Sequence, residues 1–156
     1  MDALTAARSD AFLRFVETAE PRLRRALVAS FGPALGREAA VDALSWAWEH
    51  WQRVQLLRNP IGYLYRVGQT AARRALAVRA VPVDETGAAA DVPDSLVDLE
   101  AALPKLSEQQ RAVVVLVHGY AMSYRETAEI LAISVMTVRE HLRRGMNRLR
   151  LELEES

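Results

Sequence analysis

The sequence predicts an all-α protein: two small helical domains joined by a flexible acidic linker, the second a four-helix domain with a helix-turn-helix. Three observations lead there. Apolar residues recur three and four positions apart rather than in alternation, the spacing of one face of a helix. Capping residues, prolines and glycines punctuate the chain between those stretches. Across 81–93 the stripes give way to Pro82, Gly87, Pro93, a run of alanines and acids, with too few large apolar residues to bury anything. The expected boundaries are 1–79 for the first domain, 80–95 for the linker and 96–156 for the second domain.

In the first domain Phe12, Phe15, Val16, Ala19, Leu23 and Leu27 make one amphipathic helix, with Arg14, Glu17, Arg22, Arg24 and Arg25 between them. Phe31-Gly32-Pro33 ends it, because neither glycine nor proline continues a helix comfortably. A second helix is expected from near Arg37, with Val41, Leu44, Trp48 and Trp51 on one face and Trp46 pointing elsewhere. Asn59-Pro60 opens a third: asparagine caps free N–H groups and proline fits the first turn. That helix runs to about Arg79. Its stripe of Ile61, Leu64, Tyr65, Gly68, Ala71, Ala72 and Ala75 allows close packing while its arginines face water.

The second domain opens with a short helix over 96–103, stopped by Pro104. Ser107 with Gln110 makes a capping box for a helix through 112–117, expected to end near Gly119 in a left-handed cap. Its unbroken apolar run implies burial on nearly every side. Ser123 with Glu126 makes a second capping box for a helix through Leu131, and Ser134 caps a last helix reaching beyond Arg150.

Several functions are excluded or disfavoured by what is missing. Without cysteine there is no disulfide framework, thiolate metal site or cysteine nucleophile. His50, His118 and His141 stand far apart with no ligand spacing, so no metal and no cofactor are expected. No nucleophile-base-acid arrangement or phosphate-cradling glycine loop is present, so neither an enzyme nor a small-molecule substrate is expected. No run of about 18 uncharged apolar residues occurs, and Asp2, Arg8 and Asp10 interrupt the N-terminus where a secretion signal would be apolar; a soluble, cytoplasmic protein with no membrane insertion is expected.

The net charge is zero, but the charges are segregated. Five arginines and no acid lie between Arg58 and Arg79, and five arginines against Glu140 alone lie between Val135 and Arg150. The stretch 80–99 carries Asp84, Glu85, Asp91, Asp94 and Asp98 with no Lys or Arg. Two basic patches thus flank an acidic linker.

The segments 123–131, 132–134 and 135–150 have the lengths of a helix-turn-helix. Ala128 is small enough for the crossing, Ile133 can plug the turn, and Val138, Leu142 and Leu149 can anchor the second helix. Its outward face then holds Thr137, Arg139, Glu140, Arg143 and Arg144. A helix entering the major groove needs base-edge donors and acceptors near its N-terminus and cations along its flank. Thr137, Arg139 and Glu140 suit base edges and Arg143 and Arg144 suit phosphates, with the cap N–H groups at Ser123 and Ser134 adding phosphate contacts. Arg148 and Arg150 read more simply as a solvated face.

The run Ser107-Glu108-Gln109-Gln110-Arg111-Ala112-Val113-Val114-Val115-Leu116, then Met122-Ser123-Tyr124-Arg125-Glu126-Thr127-Ala128-Glu129-Ile130-Leu131, then Thr137-Val138-Arg139, Arg144-Gly145 and Leu149-Arg150, closely resembles the C-terminal region of bacterial extracytoplasmic-function sigma factors. Phe15-Val16-Glu17, Pro21-Arg22-Leu23, Ala47-Trp48 and Asn59-Pro60 with Gly62-Tyr63-Leu64-Tyr65-Arg66-Val67 follow the order of the family's other domain, so the resemblance covers nearly the whole chain. It implies a subunit that binds core RNA polymerase, directs it to promoter double-stranded DNA and helps open the duplex without catalysis of its own. On that resemblance 137–144 reads the upstream promoter element. The helix bearing Asp42, Ser45, Trp46 and Glu49 is similar to the polymerase-binding surface, and the third helix, with Tyr65, Arg66, Arg73 and Arg74, to the downstream-element reader. The family commonly has an anti-sigma partner that clamps the two domains together.

The chain departs from the family pattern at several places. Glu38 is followed by Ala39 where the family usually has a Glu-Asp pair, and Thr70 and Arg73 stand where it has an asparagine and an acid. The tryptophan often found at the end of the third helix is missing, and Ala132 replaces the usual turn glycine. Tyr63 and Tyr65 divide between core and strand contact, and Trp46, Trp48 and Trp51 between core or partner interface and a stacking platform. The competing function is a stand-alone helix-turn-helix regulator, which would bind its site as a dimer without polymerase.

Overall fold

The computed structural model describes residues 2–79 and 101–155. Its elements are α1 (Ala3–Phe31), α2 (Pro33–Glu49), a short α3 (Trp51–Val54), α4 (Pro60–Val78), a 3-10 turn (Leu103–Lys105), α5 (Glu108–Val114) continuing into a π-helical turn (Val115–Gly119), α6 (Tyr124–Leu131) and α7 (Val135–Glu154). No strand occurs among the described residues. The expected linker at 80–95, and most of the expected helix at 96–103, lie outside them. Ala101 and Ala102 are helical, and Pro104 sits inside the 3-10 turn rather than stopping what precedes it.

Helix α1 is longer than its apolar stripe suggested, carrying Pro21 within it. The Asp2 carboxylate accepts from Thr5 N–H at 2.7 Å and caps the first turn; that bond holds Asp2 below the usual carboxylate range. At the other end Gly32 has φ 88°, a conformation open to glycine, and its N–H closes on the Val28 carbonyl at 2.8 Å. Pro33 then begins α2, four residues before the expected start near Arg37, because proline suits a first helical turn.

The core face of α2 corrects the sequence reading. Val41 is 62% exposed and Trp48 37% exposed, while Gly36, Ala39, Ala40, Ala43 and Ala47 are buried between α1 and α4. Small residues let the three helix backbones approach closely, so the larger side chains are displaced outward. A Cβ on Gly36 would lie 2.4 Å from the Val28 Cα, which shows how near the α1 backbone comes. Trp51 belongs to α3 and is buried, packing with Phe12 and Phe15 at centroid distances of 5.4 and 5.3 Å.

In the second half both arms of the Ser107–Gln110 capping box form. Ala112, Val113, Val114 and Leu116 are buried, as the apolar run implied. The left-handed cap expected at Gly119 falls instead on Ala121, φ 54°, because the π-helical turn delays the chain reversal. Ser123 accepts from the Glu126 N–H at 3.1 Å, but the Glu126 carboxylate accepts from the Ser123 hydroxyl rather than from a backbone N–H, so only half of that box forms. Ala128, Val138, Leu142 and Leu149 are buried, and by Gly145 α7 packs on α5, where a Cβ would lie 2.8 Å from a Val114 methyl. The apolar core continues from the first helical group into the second, with α5 and α6 packed on α1 and α4.

Candidate nucleic-acid interface

Ser134 opens α7 by accepting from the Thr137 N–H at 3.0 Å, and the two hydroxyls share a further hydrogen bond of 2.7 Å. Val138 and Leu142 turn inward, which leaves Arg139, Arg143 and Arg144 exposed on the opposite side with Glu140 between them. Glu140 binds Arg143 and Arg144, each at 2.7 Å. Its hydrogen bond to Arg143 is the main reason its carboxyl is held below the usual range, and Arg143 is correspondingly raised. Both ends of these pairs are solvated, so phosphates can displace the carboxylate at little cost. Arg139 lies over the ring of Tyr124, 5.9 Å from its centroid, which anchors it against the start of α6. His141, beside them, is kept below its ordinary value chiefly by burial.

The face thus carries an acceptor fixed between two cations, a third cation on an aromatic ring, and a capped helix N-terminus. Met136 was not anticipated. At 80% exposure it extends the face at its N-terminal edge, beside Thr137. Its signal in the sequence is that it falls outside the Val138–Leu142–Leu149 stripe, so an apolar residue there has no core to join.

On α2, Asp42, Ser45 and Glu49 are exposed on one face with the half-buried Trp46 among them. Trp46 stacks on His50 at 4.1 Å and 16°, and lies 5.5 Å from Tyr63. A groove of about 420 Å³ runs beside it, lined by Asp42, Trp46, Tyr63, Val67, Thr70, Ala71 and Arg74.

The four residues expected to act together on α4 are divided among three environments. Tyr65 is fully buried and shares a 2.7 Å hydrogen bond with the Ser30 hydroxyl, so its expected place at a DNA surface is corrected: it is a core residue. Burial pushes its phenol up to about 12. Arg74 lines the groove with α2.

Arg66 and Arg73 lie on a different stripe, with Asn59, Gly62 and Gln69, and this stripe faces the second half of the chain. Asn59 accepts from Gly62 N–H and donates to the Glu129 carbonyl at 2.7 Å. Arg66 donates to the Ala132 carbonyl at 2.9 Å. Gln69 and Arg73 both donate to the Glu108 carboxylate, at 2.6 and 2.9 Å. The Glu108 bond is the main cause of a raised Arg73. These partners were missed because each is separated from its mate by 35 or more positions.

Among the described residues there is no cluster of histidines and carboxylates able to hold a metal, and no helix long and apolar enough to cross a membrane.

Residues 96–149 match the sigma-70 region 4 family, a span that takes in the whole of the α7 face. The proteins named RNA polymerase sigma-E factor from Streptomyces coelicolor and Streptomyces avermitilis are each 32% identical to the chain, over 94% of its length and 81% of theirs. Among solved structures, the sigma factor RpoE in complex with the anti-sigma factor NepR from Bartonella quintana has the same fold at a TM-score of 0.63 and 21% identity, covering 92% of this chain and 97% of that one. CnrH in complex with the cytosolic domain of CnrY gives 0.61 and 22%, covering 95% and 90%. The chain belongs to the extracytoplasmic-function sigma factors and is an RNA polymerase sigma subunit that acts in transcription initiation at specific promoters.

Proposed function

We propose that the chain divides this work between its halves, 1–79 engaging core RNA polymerase and the downstream promoter element, and 96–156 the upstream element, with no catalysis of its own. The observation that carries the reading is the α7 face: Arg139, Arg143 and Arg144 exposed around Glu140 on a helix whose other side is buried. A helix presented in this way enters the major groove with its N-terminal turn against the bases. Arg139 suits the acceptor edge of guanine and Glu140 the amino group of cytosine, while Arg143 and Arg144 suit phosphates. Thr137 stands at the same turn, and the first-turn N–H groups that the Ser123 and Ser134 caps leave free suit backbone phosphates.

Asp42, Ser45, Trp46 and Glu49 form the polymerase-binding face: an acidic rim about one aromatic, on a rigid helix. Arg66, Arg73 and Arg74 carry the downstream contacts. Such a subunit works in the cytoplasm, where polymerase and promoter are. The sigma factor of the Bartonella structure is held by an anti-sigma factor, and an anti-sigma partner is proposed for this chain too.

The test is reconstitution with core RNA polymerase and transcription from promoters selected by the assembled enzyme. The chain should co-elute with core and start transcription at defined sites, and Arg139→Ala with Arg143→Ala should abolish that output while leaving co-elution intact. Tight, selective promoter binding by the chain alone, with no effect of core, would overturn the proposal.

A further inference from the structure

The entry to α7 presents an apolar side chain where polar ones would be expected. Ser134 caps the first turn by accepting from the Thr137 N–H, and its hydroxyl is joined to the Thr137 hydroxyl at 2.7 Å. The two polar side chains at this turn are therefore engaged with each other. Met136 is 80% exposed and stands clear of the core. The other methionines of this half are placed differently: Met122 packs against the core, and Met146 is less than half as exposed as Met136.

Position on the helix is what gives Met136 a role. It precedes Arg139 by three residues, Glu140 by four and Arg143 by seven, the spacing of one helical face. The buried Val138 lies about 200° away around the helix. A lone exposed apolar residue needs no explanation, but this one leads a row of charged side chains directed at base edges. In the major groove each base pair shows donors and acceptors, and thymine adds an apolar group, its C5 methyl. A thioether has no donor, and its unbranched, polarizable chain adapts its shape to such a methyl. Against cytosine or guanine it would leave the amino group or the acceptors unpaired.

We propose that Met136 is a specificity-determining residue for the upstream element, selecting thymine by apolar contact with its C5 methyl. The thymine lies within about two base pairs of those met by Arg139 and Glu140, because one helical turn advances about 5.4 Å and one base-pair step about 3.4 Å. The inference rests on the reading of α7 as the upstream-element helix given above. Because the contact is not electrostatic, its discrimination persists as salt rises, whereas the phosphate contacts weaken.

Promoters selected by the chain assembled on core RNA polymerase, from a pool randomised over the upstream element, identify the position. Wild type should enrich thymine there. Met136→Ala should lose that enrichment and keep the others, and Met136→Leu, which restores an apolar side chain, should recover part of it. Deoxyuridine in place of that thymine removes the methyl group and nothing else. In competition binding it should weaken the wild-type assembly about fourfold, the value of burying one such group, and leave the Met136→Ala assembly unchanged. The fourfold ratio should hold at low and high salt.

An equal deoxyuridine penalty in both assemblies, or a selected element with no thymine near the position that depends on Arg139, would overturn the proposal. Arg139→Ala separates the two levels of the argument. If it alters the selected sequence and Met136→Ala does not, the reading of α7 stands and the Met136 inference alone fails. If neither alters it, the reading of α7 has failed and this inference falls with it.

Discussion

The Arg111 guanidinium donates to the Ser30 carbonyl through Nε, at 3.0 Å, and through Nη2, so the C-terminal end of α1 is capped by a cation from the other half of the chain. A carbonyl of the last turn has no partner within its own helix, and a positive charge there also meets the negative end of the helix dipole. Arg111→Met keeps the apolar stem and removes the donors. Unfolding in urea should show a loss of about 2 kcal/mol, with Arg111→Lys recovering part of it. An unchanged midpoint for Arg111→Met would show that the cap contributes nothing.

Ser30 also meets Tyr65 through its side chain. Its hydroxyl donates to the Ala26 carbonyl at 2.8 Å, so the Tyr65 hydroxyl is the donor in the bond between them. Tyr65→Phe should therefore cost about 1 kcal/mol without leaving an unpaired donor. Burial raises the folded pKa to about 12 from an ordinary value near 10. Stability from this group is fully present below about pH 10 and is lost as pH climbs towards 12, because the unfolded chain releases the proton first. Urea unfolding at pH 9 and 11.5 should show a fall on the order of 2 kcal/mol from this source in wild type that Tyr65→Phe lacks. Equal falls in both chains would refute it.

Ala132 has φ 56° and ψ 44°, a left-handed turn between α6 and α7 in place of the family's glycine. An L-residue loses roughly 1–2 kcal/mol there; glycine avoids that loss, but its greater freedom in the unfolded chain offsets part of the gain. Ala132→Gly should stabilise the chain by about 0.5–1 kcal/mol, seen as a higher thermal midpoint. A lower midpoint would contradict the left-handed conformation.

Two glycines should behave oppositely. At Gly36 a methyl group would meet the Val28 Cα at 2.4 Å and the Val28 nitrogen at 2.5 Å, backbone that cannot step aside. Gly36→Ala should lose about 3 kcal/mol despite improved helix propensity. At Gly119 the nearest atom is a Val115 methyl at 3.5 Å, so Gly119→Ala should be close to neutral. Chemical unfolding of the pair decides it: similar losses in both would mean that the α1–α2 approach is not the cause.

Glu140 stands between Arg143 and Arg144, and chiefly the Arg143 bond keeps it ionised below the usual carboxylate range. Glu140→Ala removes a base-edge acceptor and frees two cations for phosphates. Selected promoter pools should relax at one base pair by roughly tenfold while overall affinity holds or rises. Promoter pools identical to wild type would show that Glu140 reads no base.

What could be read along the chain was the local part of the fold. The caps at Ser107, Ser123, Ser134 and Asn59 lie within three residues of the groups they satisfy, so their positions and the helix starts were legible. The buried stripe of α7 was legible too, since Val138, Leu142 and Leu149 repeat with the helical period. The α2 core was not, because an alanine face is apolar by virtue of what it packs against, and the larger Val41 and Trp48 gave the stronger sequence signal.

Only the tertiary structure separated the basic residues of α4. In sequence, Tyr65, Arg66, Arg73 and Arg74 form one aromatic-basic group; in the fold, one is in the core, two are tied to the second half and one lines the α2 groove. Helical phase sets the direction of each side chain, but the neighbour in that direction comes from residues 35 to 70 positions away. The sequence by itself determined the all-α class, the caps and the amphipathic phase of α7, since those depend on contacts within a turn or two. Whether the basic side chains are free or already paired was decided by how the two helical groups pack, because electrostatic partners follow distance in space and not distance along the chain.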